Sequence, residues 1–118
     1  MANPFTYLEL HSTDSARAKA FYTGLFGWKT RDTPVPGGAV YTEVDTGGGP
    51  AGLKQQQRDG AISGWLAYVE VSALDDAVGR AQALGGRVIT PRTQIPEGAF
   101  AVLQDPSGAA IGLFEKKG

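Results

Sequence analysis

The sequence predicts an α+β fold made of two βαβββ modules, on two observations. The first is an internal repeat: sliding the 118-residue chain by half its length sets Ala18 on Ala77, Leu25 on Leu84, Gly27 on Gly86, Tyr41 on Phe100, Val44 on Leu103 and Gly49 on Gly108. The second is the order of periodicities within each half, a two-residue period, then a helical one, then three more segments of period two.

In the first half, TYLELH alternates Leu8 and Leu10 with Tyr7, Glu9 and His11, which predicts a strand whose leucines face a core. Residues Ser12 to Asp14 supply oxygens that can cap a helix, Ala16, Ala20, Phe21 and Leu25 mark its expected buried face, and Gly27 ends it. WKTRDT and VYTEVD, parted by PVPGGA, read as a hairpin, and a fourth strand follows GGGP over residues 51–55. The second half repeats this order. WLAYVEV is a strand, Ser72 caps a helix with Asp75 three residues on, and Ala77, Val78, Ala81 and Leu84 form the buried face. GGRVIT, AFAVLQ and AAIGLF are the remaining strands. QQQRDGAISG, polar and aperiodic, is the linker between module one (about 4–57) and module two (about 64–116) of a single domain spanning 1–118. Each half alone is short of core, so the two are expected to form a cupped mixed sheet with the helices on its outer face.

Composition narrows the function classes. A hydrophobic share of 42% with 19% charged residues belongs to a folded globule. The net charge is −1 and the 11 Lys and Arg are scattered, so no basic stripe exists to neutralise phosphates, and nucleic acid is excluded as a partner. Without a leader-like N-terminus or an apolar run long enough for a bilayer, a cytoplasmic protein with no membrane partner is expected. Zero cysteines exclude disulfides, thiolate nucleophiles and zinc held by sulfur.

LELHSTDSARAKAFYTGLFGW, LDDAVGRAQALGGRV and VLQDPSGAAIGLFE resemble the vicinal oxygen chelate superfamily of glyoxalases, bleomycin resistance proteins and extradiol dioxygenases, over nearly the whole chain. The resemblance implies paired βαβββ modules, a homodimer and, in catalytic members, a divalent metal. Its metal ligands would stand on the first strand of each module and at a Glu in a pattern such as Asp-Pro-x-Gly-Asn-x-Ile-Glu-Leu. Here that pattern reads DPSGAAIGL, which puts Gly112 in place of the Glu, while the first-strand positions fall on Tyr7 and Leu66. The last strand of module one offers Gly52, Leu53 or Lys54. No metal and no cofactor are therefore expected. Glu9, Glu70 and His11, all of inward parity, are the alternative ligand set for a metal.

Strand parity then names the candidate site. If Leu8 and Leu10 face one helix and Ala67, Val69 and Val71 the other, then Tyr7, Glu9, His11, Leu66, Tyr68 and Glu70 face away, and Gly112 and Phe114 join them from the last strand. These eight are the expected ligand-binding residues, and a buried Glu9 or Glu70 is expected to have a raised pKa. Three functions compete: a metal-independent module binding a small, partly aromatic molecule; a lyase, isomerase or dioxygenase-related enzyme using Glu9 or Glu70; and a structural or partner-binding domain whose cup is filled by its own side chains. Gly47, Gly49 and Gly52 satisfy a dinucleotide-type spacing, but no helix follows them, so they read as a turn. Ser12, Ser15, Ser63, Ser72 and Ser107 lie at caps and turns with no base nearby.

Overall fold

A computed structural model describes residues 3–35, 40–56 and 63–118. Residues 36–39 of the expected hairpin turn and 57–62 of the expected linker lie outside the described residues. The elements are β1 (Phe5–Ser12), α1 (Ser15–Phe26), β2 (Lys29–Pro34), β3 (Val40–Asp45), β4 (Ala51–Gln55), β5 (Gly64–Glu70), α2 (Leu74–Ala83), β6 (Arg87–Ile95), β7 (Gly98–Gln104) and β8 (Ala110–Lys116). The fold is α+β with mixed sheet, and the βαβββ order occurs twice.

Two compact units divide the chain: Tyr7–Leu66, and Ala67–Gly118 together with the residues up to Thr6. The first has strand order β2-β3-β4-β1 and the second β6-β7-β8-β5. In each unit the first strand runs parallel to the last, and the last three form an antiparallel meander. The chain start joins the second unit through backbone bonds: Glu70 N donates to Pro4 O at 2.9 Å, and Asn3 Nδ2 donates to Glu70 O at 3.0 Å.

α1 begins as expected. Asp14 is its N-cap and accepts from Arg17 N at 3.1 Å, and Gly27 closes the helix at φ 72°, where a side chain would be strained. Gln55 ties the end of β4 to the helix start, accepting from Ser15 N at 2.9 Å and donating to Thr13 O at 2.7 Å. Its buried face differs from expectation. Phe21 is 60% and Leu25 59% exposed, Ala16 and Ala20 are exposed, and no residue of α1 is fully buried. Instead Lys19, Tyr22 and Thr23 lie over Leu10, Val44 and Leu53 of the sheet, with Trp28 and Trp65 beside them, around a crevice of about 10 Å³. The reason is ring contact. Tyr22 stacks on Trp28 at 5.7 Å, meets Trp65 edge-on at 5.5 Å and accepts a hydrogen bond from Trp65 Nε1, which the Phe21 stripe would forgo. Leu8, expected in the core beside Leu10, is likewise half exposed.

In the second unit the core is Leu74, Ala99, Ala101, Leu103 and Leu113, with Val69, Val71, Ala77, Val78 and Ala81 packed on it. Two expectations fail at the ends of α2. Leu84 is exposed, because the helix stops at Ala83 and Leu84 turns away with the cap. Ser72 does not cap the helix: the N-cap is Ala73, which makes no side-chain bond, and Glu115 of β8 accepts from Leu74 N at 2.7 Å. A distant carboxylate thus satisfies the orphan donor that a local hydroxyl was expected to take.

Candidate functional site

The face of the first unit turned away from α1 carries a continuous hydrogen-bonded row. β1 alternates, so with Leu10 under the helix, Tyr7, Glu9 and His11 point the other way; β3 alternates too, so with Val44 under the helix, Tyr41 joins them. His11 Nε2 lies 2.5 Å from Glu9 Oε1, and Tyr41 donates to Glu9 Oε2 at 2.7 Å. Tyr7 and Tyr41 are hydrogen-bonded through their hydroxyls. A phenol has one proton, so with that of Tyr41 given to Glu9, it is Tyr7 that donates to Tyr41.

Gly52 makes room for this row. A Cβ built on it would stand 1.8 Å from the Tyr41 hydroxyl and 2.3 Å from that of Tyr7, so β4 admits the two rings only because this position has no side chain. Glu9 is 7% exposed. Burial, the largest influence, pushes its pKa up; the hydrogen bonds from His11 and Tyr41 and the charges of His11 and Lys54 together outweigh it, and the net result is below the ordinary carboxylate range. The expected rise is thus reversed for Glu9, because two donors meet the charged form. Burial first, then the Glu9 charge and the bond to Tyr7, hold the Tyr41 hydroxyl protonated far above its ordinary range. An ionised Glu9 accepts, so it is His11 Nε2 that carries the proton of this bond.

The second unit has a parallel arrangement made of rings alone. Tyr68 lies across Gly112, its register partner, where an added Cβ would come within 2.4 Å of the ring. Phe100 meets Tyr68 edge-on at 6.1 Å and pairs in register with Phe114. Tyr68 is buried, and so is Leu66, the last residue of the first unit. Glu70, the register partner of Phe114, lies 3.6 Å from Lys116 Nζ. Asp105 organises the turn into β8, accepting from Ser107 Oγ at 2.6 Å, Ser107 N at 2.8 Å and Ala109 N at 3.1 Å; these bonds, that from the Ser107 side chain foremost, hold its pKa down. Tyr41 and Phe100 are the partners that site reasoning from sequence missed, although the internal repeat had set one on the other. Parity carried on from Val44 would have found Tyr41.

The positions where relatives hold a metal do not fit one here. Tyr7 and Leu66 stand on the first strands, the space over Gly112 is taken by the Tyr68 ring and that over Gly52 by two hydroxyls. Among the described residues, no three His, Cys, Asp or Glu side chains converge as a metal site would require, Glu9, Glu70 and His11 included. Gly47 to Gly49 form the bend between β3 and β4, held by Asp45 Oδ1 and Thr46 Oγ1, with no helix after it.

The βαβββ order, occurring twice, is that of the vicinal oxygen chelate class. Residues 7–114 match the model of the glyoxalase-like domain, and the chain belongs to that family. It is 36% identical over 115 residues to CFP32 of Mycobacterium tuberculosis, provisionally named a glyoxylase, covering 92% of this chain and 44% of that protein. It is 32% identical over 126 residues to the anthracycline biosynthesis protein DauV of Streptomyces sp. strain C5, covering 93% of this chain and 46% of that one. The chain thus spans a little under half the length of these curated relatives. Among solved structures, a hypothetical protein from Bacillus halodurans superposes with a TM-score of 0.73 at 15% identity over 100% of this chain and 97% of that one. Methylmalonyl-CoA epimerase from Mycobacterium tuberculosis does so at 0.68 and 16% identity, over 97% and 88%. At such identities these two establish the fold alone. No helix among the described residues is long and apolar enough to cross a membrane.

Proposed function

We propose that this protein binds a small, partly aromatic molecule bearing a cationic or hydrogen-bond-donating group, without a metal. The observation that carries the reading is the row Tyr7–Tyr41–Glu9–His11. It presents aromatic rings beside a carboxylate that its neighbours hold ionised. In the second unit Tyr68, Gly112 and Phe114 offer a ring-lined face, with Glu70 on the same parity, a parity that Leu66 of the first unit shares along β5. The likeness to a protein named for anthracycline biosynthesis supports an aromatic ligand, and rings over Gly52 and Gly112 support a metal-independent role.

A second reading is favoured by the His11–Glu9 pair, since a carboxylate on one imidazole nitrogen orients the other for proton transfer. It makes the protein a lyase or isomerase that uses Glu9 through His11.

Daunorubicin, an aromatic amine whose fluorescence reports binding, serves as the probe. Wild type should bind it, and His11→Ala should weaken binding about tenfold, or ~1.4 kcal/mol. Equal affinity of the two proteins, or no binding by wild type of daunorubicin, proflavine or dopamine, overturns the binding reading. Turnover of a hemithioacetal by wild type that His11→Ala abolishes favours the second.

A further inference from the structure

We propose that Lys54 binds an acid group of the ligand, so that the molecule held on the polar face of the first unit carries a carboxylate as well as its aromatic ring. The inference rests on the binding reading above and narrows its ligand class. Lys54 lies on β4, between β1 and β3, and is the register partner of His11. Leu53 beside it lines the crevice under α1, so strand alternation turns Lys54 to the opposite face, the one that carries Glu9, His11 and Tyr41. Lys54 is half-buried there, and its charge is felt at Glu9.

Glu9 does not occupy this lysine. Its two carboxylate oxygens are met by His11 and Tyr41, and Lys54 is the least of the influences that keep it ionised. Among the described residues no carboxylate stands within ion-pair distance of Lys54, whereas Arg31, another cation of this face, is held by Glu43 at 3.1 Å. An ammonium has three N–H donors and no acceptor, and partly withdrawn from water it is best satisfied by a charged oxygen. The charge of Glu9 on the neighbouring strand decides which kind of acid this is. It repels a second negative group, so one lysine favours a carboxylate with a single charge over a phosphate with nearly two. A ligand with an amine for Glu9 and an acid for Lys54, both close to a ring, has the pattern of an aromatic amino acid.

Dopamine and L-dopa differ only by a carboxylate, and calorimetric titration with each tests this. Wild type should bind L-dopa about tenfold more tightly than dopamine. Lys54→Met should abolish that preference, and it should bind daunorubicin, a cation without an acid group, more tightly than wild type does, because a like charge has been removed. Lys54→Arg should keep the preference, since the charge is kept. The acid position is overturned, and the binding reading left standing, if wild type binds an aromatic cation yet shows no preference for L-dopa over dopamine. Persistence of the preference in Lys54→Met overturns it equally. Should wild type bind none of these three molecules, nor proflavine, both readings fall together.

Discussion

Replacing Gly112 by Glu, the residue that metal-binding relatives of this class hold there, should unfold the protein at a markedly lower temperature and give it no metal. A Cβ at this position would lie 2.4 Å from Tyr68 Cδ2 and 2.6 Å from Cε2, and Tyr68 itself is buried. Overpacking of this kind costs about 1–3 kcal/mol, and a carboxylate set against a buried ring adds desolvation. A total of ~3 kcal/mol corresponds to a fall of about 10 °C for a domain of this size. Elemental analysis should find far less than one transition metal per chain in wild type and variant alike, because one carboxylate without converging partners is not a site. The steric account is checked by a double-mutant cycle. Gly112→Ala and Tyr68→Ala should each destabilise, and the pair should cost less than their sum, since removing the ring removes the clash. Additive costs, or an unchanged melting temperature for Gly112→Glu, would contradict it.

Glu9 should dominate the acid sensitivity of the first unit. Its folded pKa lies below the ordinary value of about 4.3, so its contribution to stability is present above that pH and is lost as the pH falls through the folded value. Urea unfolding midpoints of wild type should therefore drop between pH 7 and pH 3 by more than those of Glu9→Gln. Glu9→Ala at pH 7 should cost about 3 kcal/mol, because it strips the acceptor from both the Tyr41 hydroxyl and the His11 imidazole. If Glu9→Gln tracked wild type across this range, the hydrogen bonds would not be stabilising the charged form.

How much of this was legible beforehand depended on the range of the interaction concerned. The Asp14 and Gly27 ends of α1 were readable because caps are made by residues three or four apart. The opposite facing of Leu10 and Glu9 was readable because a strand alternates strictly. By contrast, α1 had two apolar stripes, one through Phe21 and Leu25 and one through Tyr22. Only Trp28 and Trp65, brought in from outside the helix, decided which was covered. The start of α2 misled for the same reason: Ser72 offered a local cap, and Glu115 took the role from 41 residues away in sequence.

What the sequence by itself determined is the repeated βαβββ order, the parity of β1 and β5, and the residue types at the ligand positions of the family, Gly112 among them. These follow from local periodicity and spacing, which every residue carries with it. Only the tertiary structure decided that Gly52 and Gly112 are spaces filled by tyrosines, that Tyr41 completes the row with Glu9, and that Glu9 is pushed toward ionisation rather than neutrality. Each of these depends on which distant group arrives within hydrogen-bond or van der Waals range. In a buried setting that arrival sets the sign of the effect: burial alone raises a carboxylate's pKa, and two donors from His11 and Tyr41 lower it.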